Sequence, residues 1–539
     1  MADHNDTDPQ SSSNDPGYFR YTDRPGEHEA VVPIMDSEKY RQAKAVYDRL
    51  VQAKGDFRYP IPEFVMSRDE RMVAWMDYDG LQIGLEEKAY DVCQNFGGLG
   101  DAAMATLLGH ELTHYYEKHA WRRGFAANFQ DLDIGVKLDK IRDNVLNETQ
   151  ADYLGGFLAY SAGYPVFDQT PDFMTEIYKA YGFPEELGDN YPSLSDRQVL
   201  ARRSGERMKQ LITIFDMANW LNAIGSFAEA KLYYRYILRE YQSRELYNNL
   251  GILYVREALE KFTTEEVRFL FPLELDLATM RGSSREVDPA RLDLLREAIL
   301  QFDYAISMDP DYAPAYLNKA CAYTLLGDIV RAKFYAETEA LHRAVGSGNN
   351  KVVSDSEVLL GIIASLQQDD ASAQDYFNKA MAKNNTLAGV NKDILLGKPV
   401  QSPEQDRFPE ERIDGIDLLD FSEGPSYDED LSLAITDTMS LLQNPHPGGE
   451  DSRSRIFIHY NAAQSLIICI QMTDPEYTGE TAKGISRGAT TGQIVEQYGE
   501  PIGRLGSPRG DILVYSNLLF LVDEQKGLES WATYLSQNL

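Results

Sequence analysis

Residues 102–116 read Ala102-Ala103-Met104-Ala105-Thr106-Leu107-Leu108-Gly109-His110-Glu111-Leu112-Thr113-His114-Tyr115-Tyr116. The small and apolar run predicts a helix. On a helix, residues four apart share a face, so His110 and His114 can turn two imidazoles toward one point, with Glu111 beside them. This H-E-x-x-H spacing suits two zinc ligands and a carboxylate that takes a proton from the attacking water. Only eight histidines occur in 539 residues, so a chance match at this spacing is uncommon. The competing reading is a surface helix with two solvated histidines. A third ligand decides between them.

Asn147-Glu148-Thr149-Gln150-Ala151-Asp152 supplies a candidate, with Glu148 lying 34 residues beyond His114. Leu138, Ile141, Val145, Tyr153 and Leu154 fall at helical spacing around it, and Glu148 and Asp152 share a face. Two histidines and one glutamate leave the fourth zinc position open, which is the arrangement of a catalytic rather than a structural site. Asp152 is placed to accept the free N–H of a ligand histidine and fix its orientation. The other common third-ligand pattern needs a glycine at position 117 and a histidine at position 120. The chain has Glu117 and Ala120 there. One Zn2+ per chain, held by His110, His114 and Glu148, is therefore the expected cofactor.

At these two motifs the chain resembles the gluzincin metallopeptidases. Within them it is most similar to the CaaX-prenyl-protease and heat-shock-protease branch, with H-E-L-x-H followed by E-x-x-A-D. The resemblance covers about residues 35–210. The link between the motifs is shorter than is usual in that branch, and the long apolar spans of its membrane members are missing. The likeness is stronger to soluble relatives that append tetratricopeptide repeats. It implies a zinc endopeptidase in which Glu111 is general base and then general acid. It also implies an edge strand ahead of the metal helix that binds extended peptide by backbone pairing. Val73-Ala74-Trp75 holds that place, although an ordinary half-buried hairpin would read the same. The family often has H-P-S/P followed by Arg in a later helix. Pro192, Ser193 and Arg197 match, while Tyr191 replaces the histidine. The Tyr191 hydroxyl either donates to an oxyanion or only packs.

Composition narrows the partners. A net charge of −33 argues against nucleic acid or an anionic membrane surface. No apolar run is long enough to span a bilayer, and no basic-then-apolar leader opens the chain. A periplasmic or secreted envelope protein whose signal has been removed is the expectation, with a cytoplasmic protein as the alternative. Cys93, Cys321 and Cys469 are too few and scattered for a disulfide framework and read as buried free thiols.

Taken in order, residues 1–30 read as a disordered tail, poor in aliphatic residues. A metallopeptidase domain of helices and a small sheet follows over 31–210. It opens with an amphipathic helix near 37–53, and Asp101 serves as N-cap of the metal helix. Gly155-Gly156 would let helices approach closely. Repeats with a period near 34 residues fill 211–390 and carry the tetratricopeptide pattern, with an insertion at 261–291. Their markers include Gly225, Phe227, Ala230 and Tyr234, then Leu250, Gly251 and Tyr254, then Ala298, Phe302 and Ala305, and finally Gly361, Ala373 and Phe377. Residues 391–455 are an acidic linker or the start of the C-terminal domain, with 14 acids in 401–455. Over 456–539 the apolar period shortens to two, giving a small antiparallel α/β domain. Its G-x-T…G-x-P phrase around Gly488–Pro501 is similar to a domain of outer-membrane assembly lipoproteins.

The fold class expected is thus multidomain and mainly α with α+β parts. The function expected is a zinc-dependent endopeptidase acting on polypeptides recruited by its repeats, in envelope protein quality control. The alternative is a scaffold or chaperone that works through its repeats around a latent protease site. Both 261–291 and 401–455 are candidates for a plug over the site.

Overall fold

The computed structural model describes residues 36–78, 80–117, 143–185, 193–263, 266–273, 290–398, 407–418, 432–444, 453–474, 476–507, 510–523 and 525–538. It divides into two units, 1–213 and 214–539. The expected tail over 1–30 and the candidate Tyr191 lie outside the described residues.

In the first unit, Ser37 caps helix α1 (Glu38–Lys54) by accepting from the Tyr40 amide at 3.0 Å, and Gly55 ends it at φ 57°. Its buried stripe is Tyr40, Ala43, Val46, Tyr47, Leu50 and Val51. Three strands follow: β1 (Glu63–Ser67), β2 (Ala74–Asp77) and β3 (Gln82–Glu86). They form a sheet in the order β1-β3-β2, with β1 parallel and β2 antiparallel to β3. Trp75 stands opposite Gly84, and a Cβ on Gly84 would lie 2.0 Å from the Trp75 ring. Only glycine lets that indole lie across the neighbouring strand.

Helix α2 (Glu87–Gln94) and a 3-10 turn (Gly97–Leu99) lead straight into α3 (Gly100–Tyr116), which carries the two histidines. Asp101 is therefore not the N-cap expected. The turn delivers the chain already coiled, Leu99 takes the cap position without a side-chain bond, and Asp101 sits in the first turn. Its carboxylate still complements the positive end of the helix there. From Ala102 to His114 only Thr106 is not buried, the mark of a helix enclosed on all sides. Helices α4 (Asp143–Ser161), α5 (Thr170–Tyr181) and α6 (Leu194–Ala223) follow.

The second unit opens with paired helices. These are α7 (Phe227–Leu238), α8 (Arg244–Glu260), α9 (Ala290–Met308) and α10 (Ala313–Leu325). A helix then runs from α11 (Ile329–Lys333) through a π-helical stretch (Phe334–Leu341) into α12 (His342–Ser347). The series ends with α13 (Asn350–Leu366), α14 (Asp370–Met381) and α15 (Thr386–Leu395). The same joint recurs twice: a Cβ on Gly251 of α8 would lie 2.5 Å from the Phe302 ring of α9, and one on Gly361 of α13 would lie 2.6 Å from Phe377 of α14. In these two joints the glycine and the phenylalanine of the repeat pattern are thus partners in one socket. The insertion separates α8 from α9, the two halves of one such pair.

An eight-stranded antiparallel sheet completes the unit, in the order β4-β5-β6-β7-β11-β10-β9-β8. Its strands are β4 (Ser432–Thr436), β5 (Met439–Asn444), β6 (Ser454–Asn461), β7 (Leu466–Thr473), β8 (Gly503–Ser507), β9 (Gly510–Val514), β10 (Leu518–Asp523) and β11 (Gly527–Asn538). The acidic stretch is not a bare linker: β4 and β5 lie inside it, and Ile413 and Leu418 are core residues. The boundary expected at 455/456 therefore cuts through this sheet. Helix α16 (Thr491–Tyr498), closed by a Thr490–Gln493 capping box, buries Ile494 and Tyr498 among Leu513, Phe520 and Trp531.

Cys93, Cys321 and Cys469 are buried and free. Among the described residues no helix is long and apolar enough to cross a membrane.

Candidate metal centre

A helix interior built from alanine and leucine gains nothing from glycine, which costs about 1 kcal/mol there relative to alanine. Gly109 on α3 therefore calls for a packing reason. Its partner is Gly155 on α4. A Cβ on Gly109 would lie 2.6 Å from the Gly155 carbonyl oxygen, and one on Gly155 would lie 2.5 Å from the His110 amide nitrogen. The two helices cross backbone against backbone, one residue from the first histidine. Gly155-Gly156 was legible as a close approach, whereas Gly109 was missed. Its signal was a mid-helix glycine directly before the H-E pair.

This crossing brings Glu148, nearly two turns before Gly155, to the two imidazoles. His110 Nε2 is 2.9 Å from His114 Nε2 and 3.5 Å from a Glu148 oxygen, and His114 Nε2 is 3.6 Å from the other Glu148 oxygen. Ligand atoms about 2.0–2.1 Å from a tetrahedral ion stand about 3.3 Å apart, and these three separations bracket that value. His110, His114 and Glu148 thus form a cluster that could hold a metal ion. Both histidines are almost wholly buried, at 1% and 2% exposure.

Asp152, one turn beyond Glu148, meets the other side of His110, with its Oδ1 2.9 Å from Nδ1. A proton on Nδ1 donates to that carboxylate and leaves Nε2 lone-paired toward the cluster. A small cavity lined by Leu107, Phe167, Phe173, Met208 and Ser204 adjoins this pair. With a volume of about 20 Å³, it has room for about one water molecule. The bond therefore lies where solvent screens it little.

The electrostatics follow from burial and carboxylates. Burial disfavours the charged imidazole of His110, but Asp152 and Glu148 outweigh it and raise its pKa above the usual histidine value. Burial pushes Glu148 upward, yet His114, His110 and Arg197 hold its carboxyl well below the usual range. The potential that keeps a proton on His110 also attracts any other cation.

Glu111 is fully buried on α3, three residues before His114 and so on the same side of the helix. Arg197, 6% exposed in the first turn of α6, contributes to the field on Glu148. Tyr191 cannot be assessed, since it lies outside the described residues.

One of the substrate-strand residues, Val73, needs correcting. Val73 is not in a strand: its φ is 66°, an outlier for a β-branched residue, because its carbonyl turns to accept from the Glu86 amide at 2.9 Å. Glu86, fully buried, secures the same bend by accepting from the amides of Arg71 and Met72, each at 2.7 Å. Ala74 and Trp75 do belong to β2, and the side chains of Val73, Ala74 and Trp75 are all buried. What β2 can offer a ligand is main chain. It is an edge strand packed against α3.

No family model matches the chain. Over 107 residues it is 39% identical to Tetratricopeptide repeat protein 36 of Mus musculus, a match covering 20% of this chain and 54% of that protein. The chain thus spans about half the length of the relative it matches. This likeness supports tetratricopeptide repeats in the chain.

Proposed function

We propose that this chain is a zinc-dependent endopeptidase whose repeats hold the polypeptides it acts on. The observation that carries the reading is the convergence of His110, His114 and Glu148 at the α3–α4 crossing, with Asp152 bonded behind His110. The resemblance of the two motifs to gluzincin metallopeptidases points the same way.

In this reading His110, His114 and Glu148 would hold the ion. A zinc ion held there would polarise a scissile carbonyl and lower the pKa of water toward neutrality. Glu111 takes the proton released by the attacking water and returns it to the leaving amine. Asp152 keeps the His110 tautomer by accepting its Nδ1 proton. Arg197 steadies Glu148. The edge of β2 pairs with an extended substrate through its N–H and C=O groups. The envelope of a bacterial cell is the setting that the resemblance implies, and outer-membrane assembly is the context suggested for the C-terminal sheet domain.

The test is zinc content per chain in wild type, His110→Ala and Glu148→Ala, together with peptide hydrolysis by Glu111→Gln. About one zinc in wild type, lost in both alanine variants, and a Glu111→Gln protein that holds zinc but cleaves nothing are expected. A wild type that takes up no zinc from metal-replete buffer would overturn the reading.

The likeness to a tetratricopeptide repeat protein favours a second reading, a scaffold or chaperone with a latent site. Complementation of a deletion strain by Glu111→Gln separates the two: rescue favours the scaffold, and failure favours catalysis.

A further inference from the structure

The insertion between α8 and α9 does not hang free over its described part. Glu266 closes a turn in which the Val267 amide donates to the Thr263 carbonyl at 3.1 Å; residues 267–273 (Val-Arg-Phe-Leu-Phe-Pro-Leu) then form neither helix nor strand, yet they are held in the way an extended ligand is held. Val267 and Phe269 are buried and Arg268 between them is exposed, the alternation of an extended chain on a surface. Phe269, 2% exposed, enters a pocket walled by Val358 and Ile362 of α13, Ala373 and Phe377 of α14, and Leu387 of α15. Its ring centroid is 6.3 Å from that of Phe377.

The main chain is gripped as well. Asn391 of α15 is fully buried and turns both ends of its amide onto one residue. Its Oδ1 accepts from the Leu270 amide at 2.8 Å, and its Nδ2 donates to the Leu270 carbonyl at 2.7 Å. Beside it, the Arg268 guanidinium donates to Ser365 Oγ at 3.0 Å and lies over the Phe269 ring.

Cover for an apolar core needs only apolar side chains. A buried asparagine is costly unless both its donor and its acceptor are met, and here a peptide backbone meets both. Such a clamp reads main chain whatever the sequence, while the aromatic pocket and Ser365 supply selectivity. We propose that the cleft between α13, α14 and α15 is a binding site for an extended polypeptide segment carrying a basic residue followed by aromatic, aliphatic and aromatic residues. In this chain residues 266–273 occupy the site as a resident mimic. A segment of a partner protein with the same chemistry displaces them, against an effective concentration that tethering sets in the millimolar range. The inference rests on the reading of the repeats as a polypeptide-binding surface and not on the metal cluster.

The probe is a fluorescein-labelled Glu266–Leu273 peptide, titrated with full-length chain and followed by anisotropy. Phe269→Ala should empty the pocket and bind the peptide at least about tenfold more tightly than wild type. Adding Asn391→Ala should cost about tenfold again, and a peptide with alanine at the Phe269 position should not bind. Leu270→Pro is a second opening, which deletes the N–H that Asn391 receives and keeps the Phe269 side chain. On wild type itself, millimolar unlabelled peptide should speed hydrogen exchange of the Val267–Phe271 amides at least about twofold. No binding by a folded Phe269→Ala or Leu270→Pro chain, equal binding of a scrambled peptide, or unchanged exchange in wild type would each overturn the proposal. Every readout is peptide binding or the amide exchange it causes, and none is hydrolysis. A chain that takes the peptide but hydrolyses nothing therefore keeps this inference and loses the peptidase, and the reverse result does the opposite.

Discussion

Gly109 and Gly155 touch through their backbones, and that contact sets the distance between the helix of the two histidines and the helix of Glu148 and Asp152. A Cβ on Gly155 would lie 2.5 Å from the amide nitrogen of His110, and helix backbone cannot yield as a side chain can. Gly156→Ala makes a contrast, because its Cβ would meet the Met208 sulfur at 2.2 Å, part of a flexible side chain. Gly155→Ala should lower stability by about 1–3 kcal/mol, typical of overpacking, and should weaken metal uptake. Gly156→Ala should cost less than half as much and leave uptake intact. Denaturant unfolding and metal content on both variants decide it, and equal losses would refute the assignment.

Asp152 acts on His110 through Nδ1, 2.9 Å away, without joining the cluster. Asp152→Asn keeps the shape but removes the negative charge that favours the bonded tautomer. Loss of such outer partners typically costs 10–100-fold in metal affinity. Chelator competition on the variant should show a loss in that range, with the far-UV spectrum unchanged. An affinity equal to wild type would mean that Asp152 only packs.

The cluster was largely legible because local spacing brings its residues together. His110, Glu111 and His114 need only one helix, and Glu148 and Asp152 only a second. What spacing could not convey was three-dimensional. Val73 looked like strand because it is β-branched, yet the demands of Glu86 on the amides of Arg71 and Met72 bend the chain there. In the sheet domain, β11 escaped notice because it is central, with both faces covered. Leu528, Ser530, Trp531, Ala532, Thr533 and Leu535 are all buried, so polar and apolar residues mix where a half-exposed strand would alternate. The repeats were legible as a period, but not the return of 266–273 onto the last helices, since nothing local encodes a contact with Asn391, 121 residues away.

The Gly–Phe sockets give the repeats a sharp mutational signature. Phe302 and Phe377 are fully buried, so Phe302→Ala or Phe377→Ala should cost about 3–5 kcal/mol. Gly361→Ala drives a methyl to 2.6 Å from the Phe377 ring and should cost about 1–3 kcal/mol. Pairing Gly361→Ala with Phe377→Leu should cost less than the sum of the two single changes, because the smaller side chain makes room. Strict additivity in urea unfolding would argue against the shared socket.

Acid should loosen the joint between the repeats and the sheet. His459 of β6 is fully buried, with Nδ1 3.0 Å from the Tyr233 hydroxyl of α7, and its Nε2 has no hydrogen-bond partner among the described residues. Its neighbours across the sheet are Leu441 and Ile468, which offer an imidazolium nothing. Burial pushes its pKa down from 6.5 to about 4. Between those values the unfolded chain holds a proton that the folded chain refuses, so stability rises with pH across this window. The contribution is complete above the unfolded value and is lost as pH falls from about 6.5 through about 4. A shift of that size corresponds to about 3 kcal/mol at most. His459→Gln keeps a polar side chain without the titration. The stability gap between wild type and His459→Gln, measured by urea unfolding at pH 7.5, 5.5 and 4.5, should move toward the variant by up to about 3 kcal/mol as pH falls. A gap that stays constant with pH would show that His459 does not sense acid in the folded joint.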